Sequence, residues 1–153
     1  MNKALFGAGC FWGIEESFSK LNGVLKTEVG YSGGNTNNPT YETVCAGDTN
    51  HAEVVLIEYD ENKITFYELL NHFWNCHDPT TLNRQGPDIG TQYRSVIFYF
   101  NETQKKISID SKTEFAKKNQ INIVTEITEA KEYFKAEEYH QKYIQKTGLY
   151  CAS

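Results

Sequence analysis

Hydrophobic positions follow helical spacing immediately after Cys10. Apolar side chains recur every three or four residues, and the pair Asn22-Gly23 interrupts the pattern. The residues of this stripe are Phe11, Ile14, Phe18 and Leu21. The pattern predicts a helix over about 11–22 that begins just after Cys10.

Other segments show the patterns of strands, helices and loops. Apolar and polar residues alternate over 24–31, which is typical of a half-buried strand. Thr65 and Glu68 have the spacing of a capping box at the start of a helix. The predicted helices cover about 11–22, 66–76, 103–119 and 136–146, the strands 24–31, 52–60, 92–100 and 121–127, and the long loops 32–50 and 78–90. This order predicts one α+β domain over 1–153, with helices covering a small sheet.

The composition narrows the possible classes of function. Apolar residues make up 39% of the chain and aromatic residues 14%, which is too many for a disordered protein. The net charge of −5, without a Lys/Arg cluster, argues against nucleic-acid binding. We see no apolar run of membrane-spanning length and no signal peptide, so we expect neither a membrane partner nor export. Four cysteines without an export signal favour the cytoplasm, where thiols are catalytic or buried. A monomer without a cofactor is expected.

Cys10 is the strongest candidate for chemistry. It lies in the segment Gly7-Ala8-Gly9-Cys10-Phe11-Trp12-Gly13. A helix N-terminus favours a thiolate, and the neighbouring glycines allow a substrate to approach closely. On residue types alone, a catalytic thiol and a small buried cysteine fit equally well.

Glu53 is the second candidate. On the predicted strand 52–60 it shares a face with Val55 and Ile57, so its carboxyl is expected to point into an apolar layer. Desolvation would raise its pKa and keep it protonated near neutral pH, as a general acid requires. From the pattern alone, a carboxylate at the strand edge in water is equally open.

Several motifs in one order resemble the A-type methionine sulfoxide reductases, that is, the peptide-methionine (S)-S-oxide reductases. The matching segments are Gly9-Cys10-Phe11-Trp12-Gly13, Gly30-Tyr31-Ser32-Gly33-Gly34, Asn38-Pro39-Thr40-Tyr41, Gly47-Asp48, His51-Ala52-Glu53, Gly90-Thr91-Gln92-Tyr93-Arg94-Ser95 and Ala136-Glu137-Glu138-Tyr139-His140-Gln141-Lys142-Tyr143. They extend over essentially the whole chain. The resemblance implies a two-layer α+β sandwich with a ferredoxin-like core, long loops and an irregular C-terminal tail.

The resemblance also implies catalytic roles. The Cys10 thiolate would attack the sulfoxide sulfur while Glu53 protonates the oxygen, and Tyr41 and Tyr93 would donate hydrogen bonds to that oxygen. Asp88 would support the substrate or the polar network around it. Without the resemblance, the two tyrosines read as packing residues and Asp88 as a turn residue after a proline.

Three further residues would bind substrate if the resemblance holds. Phe11 and Trp12 would hold the methyl group of the sulfoxide, although both also fit an ordinary core. His140 matches a histidine near the active site of the family. The alternative for His140 is a polar residue on an exposed helix face.

The resemblance implies that a second cysteine completes the cycle. Attack by Cys10 leaves a sulfenic acid, which condenses readily with another thiol. Cys151 matches the common recycling position, and thioredoxin would then reduce the disulfide. Cys45 is expected to be buried and inert. Cys76 is expected to be incidental, and a role as an alternative resolver stays open. The implied substrates are the S epimers of free and protein-bound methionine sulfoxide.

A cysteine-nucleophile hydrolase or acyltransferase is the alternative function. Cys10 with a histidine such as His140 as its base would satisfy the Cys–His arrangement. Against it, the predicted partner of Cys10 is a carboxylic acid, and a hydrolase has no use for Cys151. His51-Ala52-Glu53 has the spacing of a zinc deaminase motif but lacks the downstream Cys-x-x-Cys, so no metal site is expected.

Overall fold

The computed structural model describes residues 2–148. Its α-helices are α1 (Phe11–Ser19), α2 (Tyr41–Cys45), α3 (Phe66–Asn75), α4 (Glu102–Asn119) and α5 (Tyr143–Thr147). Its strands are β1 (Asn2–Ala8), β2 (Val24–Ser32), β3 (Ala52–Tyr59), β4 (Arg84–Gln85), β5 (Asp88–Ile89), β6 (Ser95–Tyr99), β7 (Glu126–Glu129) and β8 (Tyr133–Lys135). Short 3-10 turns cover Thr91–Tyr93 and Glu138–His140. None of the described helices is both long and apolar enough to span a membrane.

The main sheet has six strands in the order β7-β6-β1-β3-β2-β8. Its pairs are antiparallel except for β6 and β7, which run parallel. Strands β4 and β5 form a separate two-stranded ribbon within the 78–90 loop. The predicted α+β class is confirmed.

The main core lies between the helices and one face of this sheet. Phe6 from β1 is at its centre, with its ring centroid 5.0 Å from that of Phe73 in α3 and 5.6 Å from that of Phe18 in α1. The opposite face carries a smaller cluster that includes Leu5 and Phe98. Burial of large aromatic side chains of this kind is the main source of stability.

Strand β1 is central, yet the sequence pattern does not predict it. Residues 4–8 are all buried, because both faces of the strand are covered. A short, continuously apolar run lacks the alternation that marks a half-buried strand, so periodicity cannot identify it. The edge strand β8 is not predicted either, because its three residues are too few to show an alternating pattern.

Several predicted boundaries are wrong, and turns in the backbone explain most of them. The helix predicted over 11–22 ends at Ser19, and the strand predicted over 121–127 is instead β7. The strand predicted over 92–100 begins at Ser95, because residues 91–93 form a 3-10 turn. The helix predicted over 136–146 is interrupted by Lys142, which has φ +55°. The loop predicted over 32–50 contains α2.

Candidate active site

Cys10 lies at the N-terminus of α1, as the sequence predicts. Strand β1 ends at Ala8, and Gly9 turns the chain with φ +101°. A Cβ at Gly9 would also lie 2.8 Å from Cγ of Gln85, so glycine is required both by conformation and by close packing. Cys10 is the N-cap residue of α1, at the positive end of the helix dipole.

Glu53 is buried beside the start of α1. Glu53 is only 1% exposed. Its Oε1 accepts a hydrogen bond from the backbone N–H of Phe11 at 3.2 Å. Oε2 is buried and has no hydrogen-bond partner among residues 2–148. The predicted burial of this carboxyl is therefore confirmed.

The environment of Glu53 favours its protonated form. Desolvation raises its pKa from 4.5 to about 8, against the opposing effect of the Phe11 N–H bond. The negative charge of Asp88, in β5, raises the pKa further. At neutral pH the group is a carboxylic acid whose proton has no acceptor among the described residues. That state suits a general acid for a ligand beside Cys10.

Tyr41 and Tyr93 share the electrostatic environment of Glu53. Burial raises the pKa of both phenols, that of Tyr93 to about 12, and the Glu53 charge adds to both shifts. Both therefore stay protonated hydrogen-bond donors near neutral pH. Tyr93 lies in the 3-10 turn before β6, and not in the strand as predicted. The structure thus brings Tyr41, Tyr93 and Asp88 around Glu53.

Trp12 and His140 form a direct contact over a long sequence separation. Trp12 Nε1 donates a hydrogen bond to His140 Nδ1 at 2.9 Å. His140 is buried and its ring contacts that of Tyr41 in a tilted arrangement, with ring centroids 4.5 Å apart, so the exposed-face alternative is wrong. Desolvation lowers the pKa of His140, with the Glu137 charge opposing the shift. Phe11 completes the cluster, 5.3 Å from the His140 ring.

Two further residues, which the sequence reasoning missed, hold this site together. Glu137 accepts a hydrogen bond from Tyr31 Oη at 2.9 Å and another from the backbone N–H of Tyr41 at 3.0 Å. It thereby fastens the start of α2 to the C-terminal segment. The signal in the sequence that could have identified Glu137 was its place in the family motif that contains His140. Tyr143 stacks on Trp12 at 3.9 Å between centroids.

His51 has a structural contact set and is not arranged as a metal ligand. Its Nδ1 accepts from the backbone N–H of Gly34 at 3.0 Å, and its Nε2 lies 2.8 Å from the carbonyl oxygen of Thr36. The imidazole thus joins the beginning of the 32–50 loop to β3. Within residues 2–148, no group of three or more His, Cys, Asp or Glu could hold a metal ion.

Of the other cysteines, Cys45 differs from the prediction in its burial. Cys45 is exposed at the end of α2, so the prediction of burial is wrong. Cys76 is half-buried, and burial raises the pKa of its thiol to about 12. Both Cys76 and Cys10 line a cavity of about 410 Å³. Cys151 lies outside the described residues.

Comparison with known sequences identifies the family of this chain. The family model described as peptide methionine sulfoxide reductase matches residues 2–153. A peptide methionine sulfoxide reductase of Acinetobacter baumannii is 55% identical over 153 residues, covering 99% of this chain and 88% of that protein. One from Lactuca sativa is 53% identical over 147 residues and covers 96% of this chain. The match spans only 57% of the Lactuca protein.

Solved structures agree with the sequence comparison. Mxr1 from Saccharomyces cerevisiae in reduced form has a TM-score of 0.94 and 39% identity, covering 99% of this chain and 88% of that one. Mxr1 in complex with Trx2 has a TM-score of 0.66 and 27% identity, covering 93% and 84%. The family resemblance stated from the sequence motifs is confirmed. The chain belongs to the peptide methionine sulfoxide reductase family.

Proposed function

We propose that this peptide methionine sulfoxide reductase uses Cys10 to attack the sulfoxide sulfur and Glu53 to protonate the sulfoxide oxygen. One observation carries the proposal: a buried carboxyl, protonated at neutral pH and with an unpaired oxygen, lies against the helix start that bears Cys10. A sulfoxide sulfur is electrophilic only when charge developing on its oxygen is neutralised. The acid form of Glu53 can supply that proton.

The surrounding side chains complete the substrate site. Tyr41 and Tyr93 remain protonated and donate hydrogen bonds to the sulfoxide oxygen, while the charge of Asp88 adds to the desolvation that raises the pKa of Glu53. The aromatic faces of Phe11 and Trp12 receive the methyl group. His140, bonded to Trp12, holds that ring in place.

The reaction balances with two thiols. The Cys10 thiolate forms a bond to the sulfoxide sulfur while the oxygen takes the proton from Glu53. The bonds from that sulfur to the oxygen and to Cys10 then break, the hydroxyl passes to the Cys10 sulfur, and methionine leaves as a thioether. The resulting sulfenic acid condenses with the Cys151 thiol, which releases water and forms a disulfide. A thioredoxin dithiol reduces this disulfide. The complex of the yeast relative with thioredoxin Trx2 supports that reductant.

Other parts of the proposal rest on the family and on composition. The substrates are the S epimers of free and protein-bound methionine sulfoxide, as in the family that the motifs resemble. The chain acts as one domain and as a monomer, without a cofactor. Its cysteine usage is consistent with the cytoplasm. The hydrolase alternative loses its support, because the group beside Cys10 is an acid and not a base.

Intact mass of the reduced protein tests the proposal most directly. The protein is incubated with methionine S-sulfoxide without any external reductant, and the released methionine is measured in parallel. The wild type is expected to release methionine and to lose two hydrogens. Cys10→Ser should release none, whereas Cys151→Ser should release methionine but form no disulfide.

Cys45→Ser and Cys76→Ser are the matched controls, and both should behave like the wild type. If Cys151→Ser still loses two hydrogens, Cys45 or Cys76 resolves the sulfenic acid and the assignment of Cys151 fails. If the wild type releases no methionine, the proposed chemistry itself fails.

A further inference from the structure

We infer that Glu15 is a positioning residue. Its buried carboxylate fixes the left-handed turn at Lys142, and the residues on either side of that turn, His140 and Tyr143, both contact Trp12. The inference rests on the proposed function in one respect, namely that Trp12 contacts the substrate. Glu15 lies in α1, four residues after Phe11, and its carboxylate contacts Lys142 in the C-terminal segment. No step of the proposed mechanism uses it.

The contacts of Glu15 are unusually complete for a carboxylate that is 1% exposed. Oε1 accepts the backbone N–H of Lys142 at 2.7 Å, and Oε2 accepts the Thr27 hydroxyl at 3.0 Å. The Lys142 ammonium donates to Oε2 at 3.2 Å. A buried charge is tolerated only when it is paired and hydrogen-bonded in this way.

Lys142 occupies a backbone conformation that needs support. Its φ of +55° and ψ of +35° lie in the left-handed region, which is unfavourable for a residue with a Cβ. Its ammonium also donates to the Thr27 carbonyl oxygen at 3.0 Å and contacts the Thr27 hydroxyl. Glu15 therefore binds both the backbone and the side chain of the residue that adopts this left-handed conformation.

The left-handed turn at Lys142 lies between two aromatic side chains that contact Trp12. His140 precedes it and accepts the Trp12 Nε1–H bond at 2.9 Å. Tyr143 follows it and stacks on the indole with an interplanar angle of 11°. A change in the turn between them would alter the position of either partner relative to Trp12.

A second anchor keeps the segment attached when the Glu15 contact is weakened. The Gln141 side chain accepts from the backbone N–H of Val29 at 2.9 Å and donates to the Val29 carbonyl at 2.9 Å. Loss of the Glu15 charge should therefore loosen the turn without detaching the segment. The expected consequence is weaker substrate binding at Trp12, with the chemistry at Cys10 and Glu53 preserved.

The Glu15→Gln variant tests this inference, because single-turnover kinetics measure substrate binding and the chemical step separately. The amide keeps the size of the side chain, but it has no charge to pair with the Lys142 ammonium and only one oxygen for the three donors that the carboxylate now accepts. Methionine formation in a single turnover of the reduced enzyme is measured against methionine sulfoxide concentration. The half-saturating concentration should rise about tenfold, the size of effect that losing one or two charged hydrogen bonds produces, with the plateau rate within about twofold of wild type.

Glu16→Gln is the matched control in the same helix. Glu16 is partly buried and forms an ion pair with the exposed Lys20 at 3.2 Å, so its substitution should leave half-saturation unchanged. If Glu15→Gln does not fold, Lys142→Met provides the same readout, because it removes the ammonium but keeps the backbone N–H. It should raise half-saturation by a smaller factor.

The outcomes separate the inference from the proposed function. An unchanged half-saturation with a lower unfolding temperature would make Glu15 merely structural and overturn the inference. A lower plateau rate with unchanged half-saturation would place Glu15 in the chemistry and overturn it equally. Absence of methionine from the wild type would instead overturn the proposed function.

Discussion

Replacing Glu53 by glutamine should remove both an acid catalyst and a pH-dependent loss of stability. The carboxyl is buried and its pKa is raised from 4.5 to about 8. Glutamine has nearly the same volume, can still accept the Phe11 N–H bond, and cannot ionise. Comparison of Glu53→Gln with the wild type therefore isolates the proton on this one group.

The magnitude follows from linkage. Between the unfolded and folded pKa values the folded protein holds a proton that the unfolded chain has lost, so stability falls as pH rises through this window. At about 1.4 kcal/mol per pKa unit, the wild type should lose about 2 to 3 kcal/mol of unfolding free energy between pH 6 and pH 9 that Glu53→Gln does not lose. In the same variant, single-turnover methionine formation should slow by about 10²–10⁴, the usual contribution of a general acid.

Urea unfolding of reduced protein at pH 6, 7, 8 and 9 measures the first effect, and the pH profile of single-turnover rates measures the second. The wild-type rate should fall about tenfold per pH unit above pH 8, and that limb should be absent in Glu53→Gln. Glu58→Gln, on the same strand but partly exposed, should retain the limb and the pH dependence of stability. If Glu53→Gln keeps the alkaline limb, another group carries it and the assignment of Glu53 as the acid is refuted.

Three further changes test other parts of the structure. Trp12→Phe removes the donor to His140 and should raise half-saturation about fivefold, as loss of one hydrogen bond does, with the plateau rate preserved in single-turnover kinetics. Burial lowers the pKa of His77 from 6.5 to about 4, so stability should be lost as pH falls through this range; in urea unfolding, His77→Gln should lose about 2 kcal/mol less than wild type between pH 8 and pH 5. Gly30→Ala should cost more than about 2 kcal/mol by thermal unfolding, because its Cβ would lie 2.4 Å from a tyrosine ring, whereas Gly13→Ala, with open space around it, should cost nothing.

Features that depend on neighbouring residues could be predicted from the sequence. The capping box of α3 is present with both reciprocal bonds between Thr65 and Glu68, and the helix begins at Phe66 as predicted. Cys10 occupies the N-cap position of α1 because a glycine turn precedes an amphipathic run. These elements depend on contacts within four residues, which the order of side chains records directly.

Features that depend on distant segments could not be predicted in this way. Strand β1 is recognised only once β3 and β6 cover its edges and helices cover its face, since its residues show no alternation. The left-handed turn at Lys142 exists because Glu15, 127 residues earlier, holds it. Local propensity favours continuing the helix there, and the tertiary contacts override it.

The features of the candidate site also fall into these two groups, those that the sequence predicts and those that depend on distant segments. The sequence by itself determined the α+β class, the family and the identity of Cys10 and Glu53 as candidates, because motifs and face periodicity are written in residue order. Only the tertiary structure decided that Glu53 is desolvated, that His140 is buried against Trp12, and that Cys45 is exposed. The physical reason is that desolvation and hydrogen-bond partners are properties of the space around a group, and the fold fills that space from distant segments. Trp12 and His140 are 128 residues apart in the sequence, and Phe11 and Glu53 are 42 apart.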